Sequence, residues 1–279
     1  MSYKIIVDSC GELTPKMKES KKMVSVPLTL QVDKKEIVDD ESFNQAEFLA
    51  IVAASENCPK SACPSPEKYQ MCCQGEEERV YIVTLSANLS GSYNSAVLGR
   101  QLYLEEEGKK QIHVFNSRSA SVGETLIALK IQECEEKGMS FEQVVDTTEK
   151  YIRGMRTYFV LENLDTLRKN GRLSKAKALV ATALKIKPVM GEDGEGNIIQ
   201  LDQTRGINKA MMKMLEYAEK NMEHQEEKVF AIAHCNCLER AEILRDEIKK
   251  RFPVKDVILV DTAGVSSMYA NDGGIIIAV

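Results

Sequence analysis

Several hydroxyl side chains follow one strongly apolar segment, at the point where a strand is predicted to end and a helix to begin. The segment RVYIVTL, residues 79–85, continues directly into SANLSGS, which holds Ser90, Gly91 and Ser92. In an open parallel sheet, ligands bind beyond the carboxyl ends of the strands. The amides of a helix N-terminus attract anions, and a glycine lets a ligand approach the backbone. The pattern therefore predicts an anion-binding turn, with simple helix capping by Ser90 or Ser92 as the open alternative.

Two further turns carry hydroxyl or carboxyl groups beside predicted strands and helices. Ser61 precedes a predicted helix start in the segment CPKSACPSPEKY. Asp8 and Ser9 follow the first predicted strand, where the Asp8 carboxylate is suited to orient its neighbours by accepting hydrogen bonds. Because serine hydroxyls can donate to a carboxylate or phosphate, we expect Ser61 and Ser90 to converge on one anion.

Metal and nucleophile chemistry has weaker support. The eight cysteines are scattered, and the densest group, His234, Cys235 and Cys237, has no second ligand pair at the spacing of a zinc site. We therefore expect free buried thiols, no metal and no cofactor. The chain has no phosphate-binding loop, dinucleotide fingerprint or nucleophile elbow. A serine-dependent acyl hydrolase or acyl transferase, with Ser90 as nucleophile and His234 as base, remains the alternative to a binding protein.

The composition is that of an ordinary globular protein. Of the 279 residues, 43% are hydrophobic and 28% are charged. A net charge of −5 argues against a non-specific nucleic-acid partner and provides no basic arm for anionic lipid. No segment approaches the roughly 20 apolar residues of a membrane span, so no stable membrane insertion is expected. The N-terminal MSYKIIVDS is predicted to form a first strand rather than a secretion signal, which favours a cytoplasmic protein.

Short apolar strands alternate with amphipathic helices through the first half of the chain. This alternation predicts a mostly parallel sheet with helices on its faces. The segment VSVPLTLQV, residues 24–32, is predicted to form one of the strands. Capping boxes predict helix starts at Ser42 with Gln45 and at Ser140 with Gln143.

The second half of the chain has a different pattern. Residues 164–184 are predicted to be helical with a break at Gly171, and the turn residues EDGEGN predict a hairpin between apolar flanks. We therefore predict an α/β fold with two domains. Residues 1–154 would form an N-terminal three-layer parallel-sheet domain that carries the serine-rich loops, and residues 155–279 a C-terminal α+β domain with a mixed sheet.

An ordered set of short motifs resembles the DegV family of bacterial fatty-acid-binding proteins through nearly the whole chain. Asp8-Ser9 resembles the family's opening D-S, and residues 89–96, LSGSYNSA, resemble its L-S-G-T-Y-Q-S-A. The other matching segments are SACPS at 61–65, NSRSAS at 116–121, KNGRLS at 169–174, Lys187-Pro188 and Arg205-Gly206. The segment at 61–65 keeps the first hydroxyl of the family's T-S-Q-P-S but lacks the second serine and the glutamine. Each motif is weak by itself, whereas the ordered set is specific.

The resemblance implies a carrier without catalytic residues. Such a protein buries the acyl chain of a long-chain fatty acid at or near the junction of two α/β domains. It presents that fatty acid to a separate ATP-dependent fatty acid kinase, which makes an acyl phosphate for phospholipid synthesis. The resemblance assigns the fatty acid carboxylate to Ser61, Ser90, Gly91, Ser92 and Tyr269. It assigns supporting positions to Asp8, Ser9, Asn94 and Ser117, and contact with the partner kinase to Arg172 and Arg205.

One position departs from the family pattern. Many members end with a loop like G-x-H-x-G-P-G, whose histidine helps to hold the carboxylate, whereas this chain reads SSMYANDGG with Tyr269 at about that place. A tyrosine hydroxyl can donate a hydrogen bond but does not become a cation near neutral pH. The resemblance therefore implies a head-group site of altered geometry or ligand preference.

Overall fold

The fold is described from a computed structural model that covers residues 2–106, 108–173 and 185–279. The strands are β1 (Tyr3–Asp8), β2 (Met23–Val26), β3 (Thr29–Val32), β4 (Lys35–Val38), β5 (Lys60–Ala62), β6 (Arg79–Thr84), β7 (Gln111–Asn116), β8 (Thr157–Val160), β9 (Ile186–Glu192), β10 (Ile198–Arg205), β11 (Val229–His234), β12 (Asp256–Asp261) and β13 (Ile275–Ala278). The α-helices are α1 (Pro15–Glu19), α2 (Gln45–Ala54), α3 (Pro66–Cys72), α4 (Ser92–Glu106), α5 (Val122–Glu136), α6 (Phe141–Gly154), α7 (Asp165–Lys169), α8 (Ile207–Lys220), α9 (Leu238–Arg251) and α10 (Gly264–Ala270). A short 3₁₀ helix spans Gln225–Glu227. No helix within these ranges is long and apolar enough to cross a membrane.

The first sheet is wholly parallel, with the strand order β2-β1-β6-β7. Every residue of β6 is buried, as expected for a strand covered on both faces. Apolar side chains of α3 and α4 pack on one face, and those of α5 and α6 on the other. The predicted parallel sheet with helices on its faces is confirmed.

The segment at residues 24–32 does not form the single strand that its apolar pattern predicts. It divides at Pro27 into β2 and β3, because proline cannot donate to a sheet ladder. β3 instead pairs with β4 and β5 in a separate antiparallel sheet of order β4-β3-β5. This small sheet matters for the site because Ser61 lies in β5, opposite Leu30.

The second large sheet is mixed, with the order β10-β9-β8-β13-β11-β12. β9 and β10 form the predicted hairpin around EDGEGN, and β11 and β12 run parallel. Apolar side chains of α8 and α9 cover one face of this sheet. The α/β fold with a parallel sheet and a separate mixed sheet is therefore confirmed.

Helix α5 lies between the two large sheets. It contacts β1 and β6 of the first sheet and β11 and β13 of the second. One apolar cluster accordingly contains Tyr81 and Phe115 from the first sheet together with Ala231 and Ala278 from the second. The predicted boundary falls where α6 ends at Gly154, and the division into residues 1–154 and 155–279 stays a prediction.

The helix termini support one predicted capping box and correct the other. At α6, Ser140 and Gln143 form the reciprocal box. At α2 the N-cap is Asn44, so the box predicted at Ser42 and Gln45 is wrong. The Ser42 hydroxyl donates to Asp40 at 2.6 Å, because the chain turns there before the helix begins.

The helix predicted over residues 164–184 is seen only in part. Its first turns form α7, which ends at Lys169, and the predicted break at Gly171 has a φ of +75°. Residues 174–184 of that prediction lie outside the described residues.

Candidate functional site

A cavity of about 360 Å³ lies between the carboxyl ends of the first sheet's strands and the second sheet. Most of the side chains that line it are apolar. They include Leu28, Leu85, Leu89, Phe159, Leu161, Leu167, Ile198, Val265 and Ile276. The volume is within the range of small-molecule sites in proteins, ~300 to 1,000 Å³.

The second sheet supplies one long wall of this cavity. Side chains on a strand alternate between its two faces, so Thr157, Phe159 and Leu161 all face the cavity from the β8 segment. Ile276 on β13 lies directly opposite Phe159 and extends the same wall. From Thr157 to Leu161 this wall measures ~13 Å at about 3.3 Å per residue.

One end of the cavity is polar and is formed by Ser61, Tyr269 and Arg172. The Ser61 and Tyr269 hydroxyl oxygens are 3.2 Å apart, although they belong to β5 and α10. The Arg172 guanidinium carbon lies 6.0 Å from the centre of the Tyr269 ring, and its Nε donates to the Leu89 carbonyl at 3.2 Å. Burial raises the pKa of the Tyr269 phenol, so its hydroxyl stays protonated and can donate.

The turn before α4 lies at the same end. Ser90 and Gly91 line the cavity, whereas Ser92 is fully buried behind them. The Ser90 hydroxyl oxygen accepts from the Ser92 amide at 3.2 Å and lies 3.1 Å from the Ser92 hydroxyl oxygen. A Cβ on Gly91 would lie 3.2 Å from the Cys63 sulfur, so this position leaves little room for a side chain. The structure thus brings Ser61 and Ser90 to the same end of the cavity, although Ser61 lies in strand β5 and not in the predicted turn.

Asp8 and Ser9 lie outside the cavity lining and bind backbone groups of residues that form it. Asp8 accepts hydrogen bonds from the amides of Leu85 at 2.9 Å and Cys10 at 3.1 Å. Ser9 accepts from the Leu28 amide at 3.0 Å and donates to Asp39 at 2.9 Å. Leu85, Cys10 and Leu28 all line the cavity, so both side chains act on the site through the backbone.

The remaining predicted site residues lie farther from the cavity. Ser117 is buried and is bonded to the amide and carbonyl groups of Ser119. Asn94 is exposed on α4, and Arg205 is exposed at the end of β10. Of the two arginines predicted to contact a partner, Arg172 lines the cavity and Arg205 does not.

Sequence reasoning missed the cover that the β9–β10 hairpin places over the cavity. The Ser86 hydroxyl donates to the Gly196 carbonyl at 2.9 Å, Asn88 to the Glu195 carbonyl at 2.7 Å, and Arg118 to the Gly194 carbonyl at 3.1 Å. The glycines of EDGEGN predict the turn, but they do not predict which loops the turn contacts.

The sequence patterns also did not predict the buried acidic cluster of Asp8, Glu12 and Glu124. Burial raises the pKa of Asp8 to about 6 and that of Glu12 to about 7. Burial raises the pKa of Glu124 well above the ordinary value, and the nearby carboxyl groups of Asp8 and Glu12 raise it further. Glu124 lies within an ordinary amphipathic helix pattern, which predicts a surface position for a charged residue.

The arrangement around His234 differs from that of a catalytic base. Its Nε2 lies 3.4 Å from Asp261, and its Nδ1 accepts from the Cys237 amide at 3.4 Å. Burial lowers the pKa of its imidazole. No histidine lines the cavity within the described ranges, and the group of three potential metal ligands found there is Asp8, Cys10 and Glu124 rather than the His234 segment.

Comparisons with known proteins match nearly the whole chain. The family model described as "Uncharacterised protein, DegV family" matches residues 2–279. A DegV domain-containing protein of Streptococcus pneumoniae is 34% identical over 280 residues, which cover 99% of this chain and 98% of that protein.

Solved structures extend the comparison to three dimensions. A DegV family protein from Ruminococcus gnavus, refined with vaccenic acid, has a TM-score of 0.98 at 56% identity and covers 100% of both chains. The Streptococcus pneumoniae Fatty Acid Kinase (Fak) B3 protein, loaded with linoleic acid, has a TM-score of 0.89 at 33% identity, covering 100% of this chain and 99% of that one.

Proposed function

The chain belongs to the DegV family, and from this premise we propose that it binds a long-chain fatty acid and presents it to a separate ATP-dependent fatty acid kinase. The observation that carries the proposal is a cavity with apolar walls and one polar end, where Ser61, Ser90, Tyr269 and Arg172 meet. The fatty acids named in the two similar structures support it.

The apolar walls supply the affinity for the chain. Burying a methylene is worth about 0.8 kcal/mol, so ~14 of them contribute at most on the order of 11 kcal/mol before the costs of ordering. In the proposed complex the acyl chain runs along the β8 wall, from Leu161 near the polar end towards Thr157.

The polar end supplies donors for the carboxylate. A buried carboxylate that gives up its water needs several hydrogen bonds. The hydroxyls of Ser61, Ser90 and Tyr269 and the backbone at Gly91 would supply them. Ser92 would act from behind, by bonding to Ser90.

The second group of residues would support or extend this function. Asp8, Ser9 and Ser117 would hold the loops that line the cavity, and Asn94 has no contact with it. Arg172, at the polar end, is the proposed contact with the kinase or its phosphates. Arg205, which is exposed, is proposed for the same contact.

The proposed role is that of a non-catalytic carrier. A nucleophilic serine needs an adjacent base, and the described residues around Ser90 include no histidine. The serine-dependent acyl hydrolase or transferase is therefore the weaker candidate, and replacing Ser90 separates the two.

Ser61→Ala and Ser90→Ala should each weaken binding of linoleate. Each removes one hydrogen bond to a charged group, which is worth ~1.5 to 3 kcal/mol, or roughly tenfold to a hundredfold in affinity. Equilibrium titration monitored by native mass spectrometry would measure the change.

Ser42→Ala, in an exposed turn, is the matched control and should bind as the unchanged protein does. If Ser90→Ala kept full affinity but abolished turnover of an acyl ester, Ser90 would be a nucleophile and the carrier role would be rejected.

A further inference from the structure

A buried carboxyl pair lies behind the cavity wall. Glu124, in the first turn of α5, is fully buried, and neither of its carboxyl oxygens accepts a hydrogen bond from a donor among the described residues. A carboxyl oxygen of Glu124, a carboxyl oxygen of Asp8 and the sulfur of Cys10 lie within 4.8 Å of one another. Three other ionisable groups face the carboxyl pair of Asp8 and Glu124. They are Cys10 and Glu12, from the segment that follows β1, and Tyr69 from α3, and none of them is a cation.

Two carboxyl groups that are this close together and this deeply buried do not both carry a charge. Burial disfavours each anion, and mutual repulsion disfavours the second. Asp8 accepts two backbone hydrogen bonds, which favour its anion, whereas Glu124 accepts none. The proton of the pair therefore belongs on Glu124.

We propose that Glu124 is a neutral acid that donates a hydrogen bond to Asp8, and that this pair positions the two loops of the cavity wall. Asp8 accepts from the amides of Leu85 and Cys10, both of which line the cavity, so the proposed bond would connect Glu124 to these two loops. Glu124 is thus a positioning residue that does not touch the ligand.

The effect on ligand binding rests on the proposed function, whereas the shared proton does not. In the protein without ligand, the carbonyl stretching band of a protonated carboxylic acid should be visible by infrared difference spectroscopy at neutral pH. The part of this band that belongs to Glu124 should be lost in Glu124→Gln, whereas the part that belongs to Glu12, whose pKa is raised to about 7, should remain. If the protein shows this band but binds no fatty acid, the proposed function is refuted, whereas the proposal of a shared proton between Asp8 and Glu124 is still supported.

Three variants test the positioning role with linoleate as the probe. Glu124→Gln keeps a neutral donor and should bind within about twofold of the unchanged protein at neutral pH. Glu124→Leu keeps the bulk but removes the donor, and should weaken binding about tenfold or more, because a buried charged group loses a hydrogen bond. Glu133→Gln, on the same helix but paired with Lys130 and Lys137 at the surface, is the control and should change nothing.

The pH profile separates positioning from a general loss of fold. The unchanged protein should lose affinity at alkaline pH, where Glu124 gives up its proton, and Glu124→Gln should not. Equal loss of affinity in the Gln and Leu variants, or an absent infrared band, would overturn the proposal. So would uptake of one Zn²⁺ per chain that Glu124→Gln abolishes, because the pair would then be a metal site.

Discussion

At the scale of single residues, the polar end of the cavity combines the hydroxyls of Ser61 and Tyr269 with the guanidinium of Arg172. The resemblance puts Tyr269 at about the position of a family histidine, and in the structure its hydroxyl oxygen is 3.2 Å from that of Ser61. This contact was partly predictable, because the motif order aligned Tyr269 with a head-group position. The acids behind the wall were not predictable, because burial of Glu12 and Glu124 depends on how α5 packs against the first sheet.

The buried acids predict an unusual dependence of stability on pH. The pKa values of Asp8 and Glu12 are raised in the folded protein, to about 6 and about 7, above ordinary values of 3.8 and 4.5. A group whose pKa is raised on folding stabilises the protein below its unfolded pKa and ceases to do so as the pH rises through its folded pKa. The free energy of unfolding should therefore fall between about pH 4 and about pH 7, by on the order of 3 kcal/mol for each group at most.

Urea unfolding at about pH 5 and about pH 8 measures this fall. Glu12→Gln should reduce the difference between the two conditions. Glu133→Gln should not, because Lys137 and Lys130 lower the pKa of that half-buried carboxyl group. A stability that rises from the acidic to the alkaline condition would contradict the assignment of Asp8 and Glu12 as buried acids.

At the scale of elements, the hairpin and the Ser140 capping box were predicted correctly, whereas the box at Ser42 and the single strand across Pro27 were wrong. Distant pairings were not predicted. The turn residues of EDGEGN predict the β9–β10 hairpin because turn chemistry is local. Their contacts with Ser86, Asn88 and Arg118 join segments far apart in the chain, which no local pattern reports. The split at Pro27 was signalled by the proline itself, whereas the change of sheet that follows it is set by tertiary pairing.

The hairpin tip offers a matched pair of glycines for testing its role as a cover. Gly196 has a φ of +81°, and an added Cβ would lie 2.4 Å from the Ser86 hydroxyl oxygen. Gly194 has a φ of +84° but open space around it. Gly194→Ala should cost only the left-handed backbone conformation, ~1 to 2 kcal/mol. Gly196→Ala should cost more, because the tip must also move away from Ser86.

Unfolding free energies and rates of fatty acid release together report this difference. We expect Gly196→Ala to release linoleate faster than Gly194→Ala does, since lifting the tip uncovers the cavity. Equal release rates in the two variants would show that the tip does not act as a cover.

At the scale of the whole molecule, two sheets and the helix between them form one continuous structure around the site. The first sheet supplies the loops that carry Ser90 and Gly91, the small sheet supplies Ser61, and the second sheet supplies the long apolar wall. The alternation of strands and helices predicted the first sheet, and the different pattern of the second half, with its hairpin, predicted the mixed sheet. The place where they meet is defined by side-chain packing around α5, which periodicity does not encode.

Native mass spectrometry of the purified protein, followed by denaturation and identification of any released small molecule, tests the central claim most directly. We predict a stoichiometric mass increment that is released as a long-chain fatty acid, or that appears when a ligand-free sample is titrated with linoleate. A protein that stays at its bare mass throughout that titration would contradict fatty acid binding by this chain.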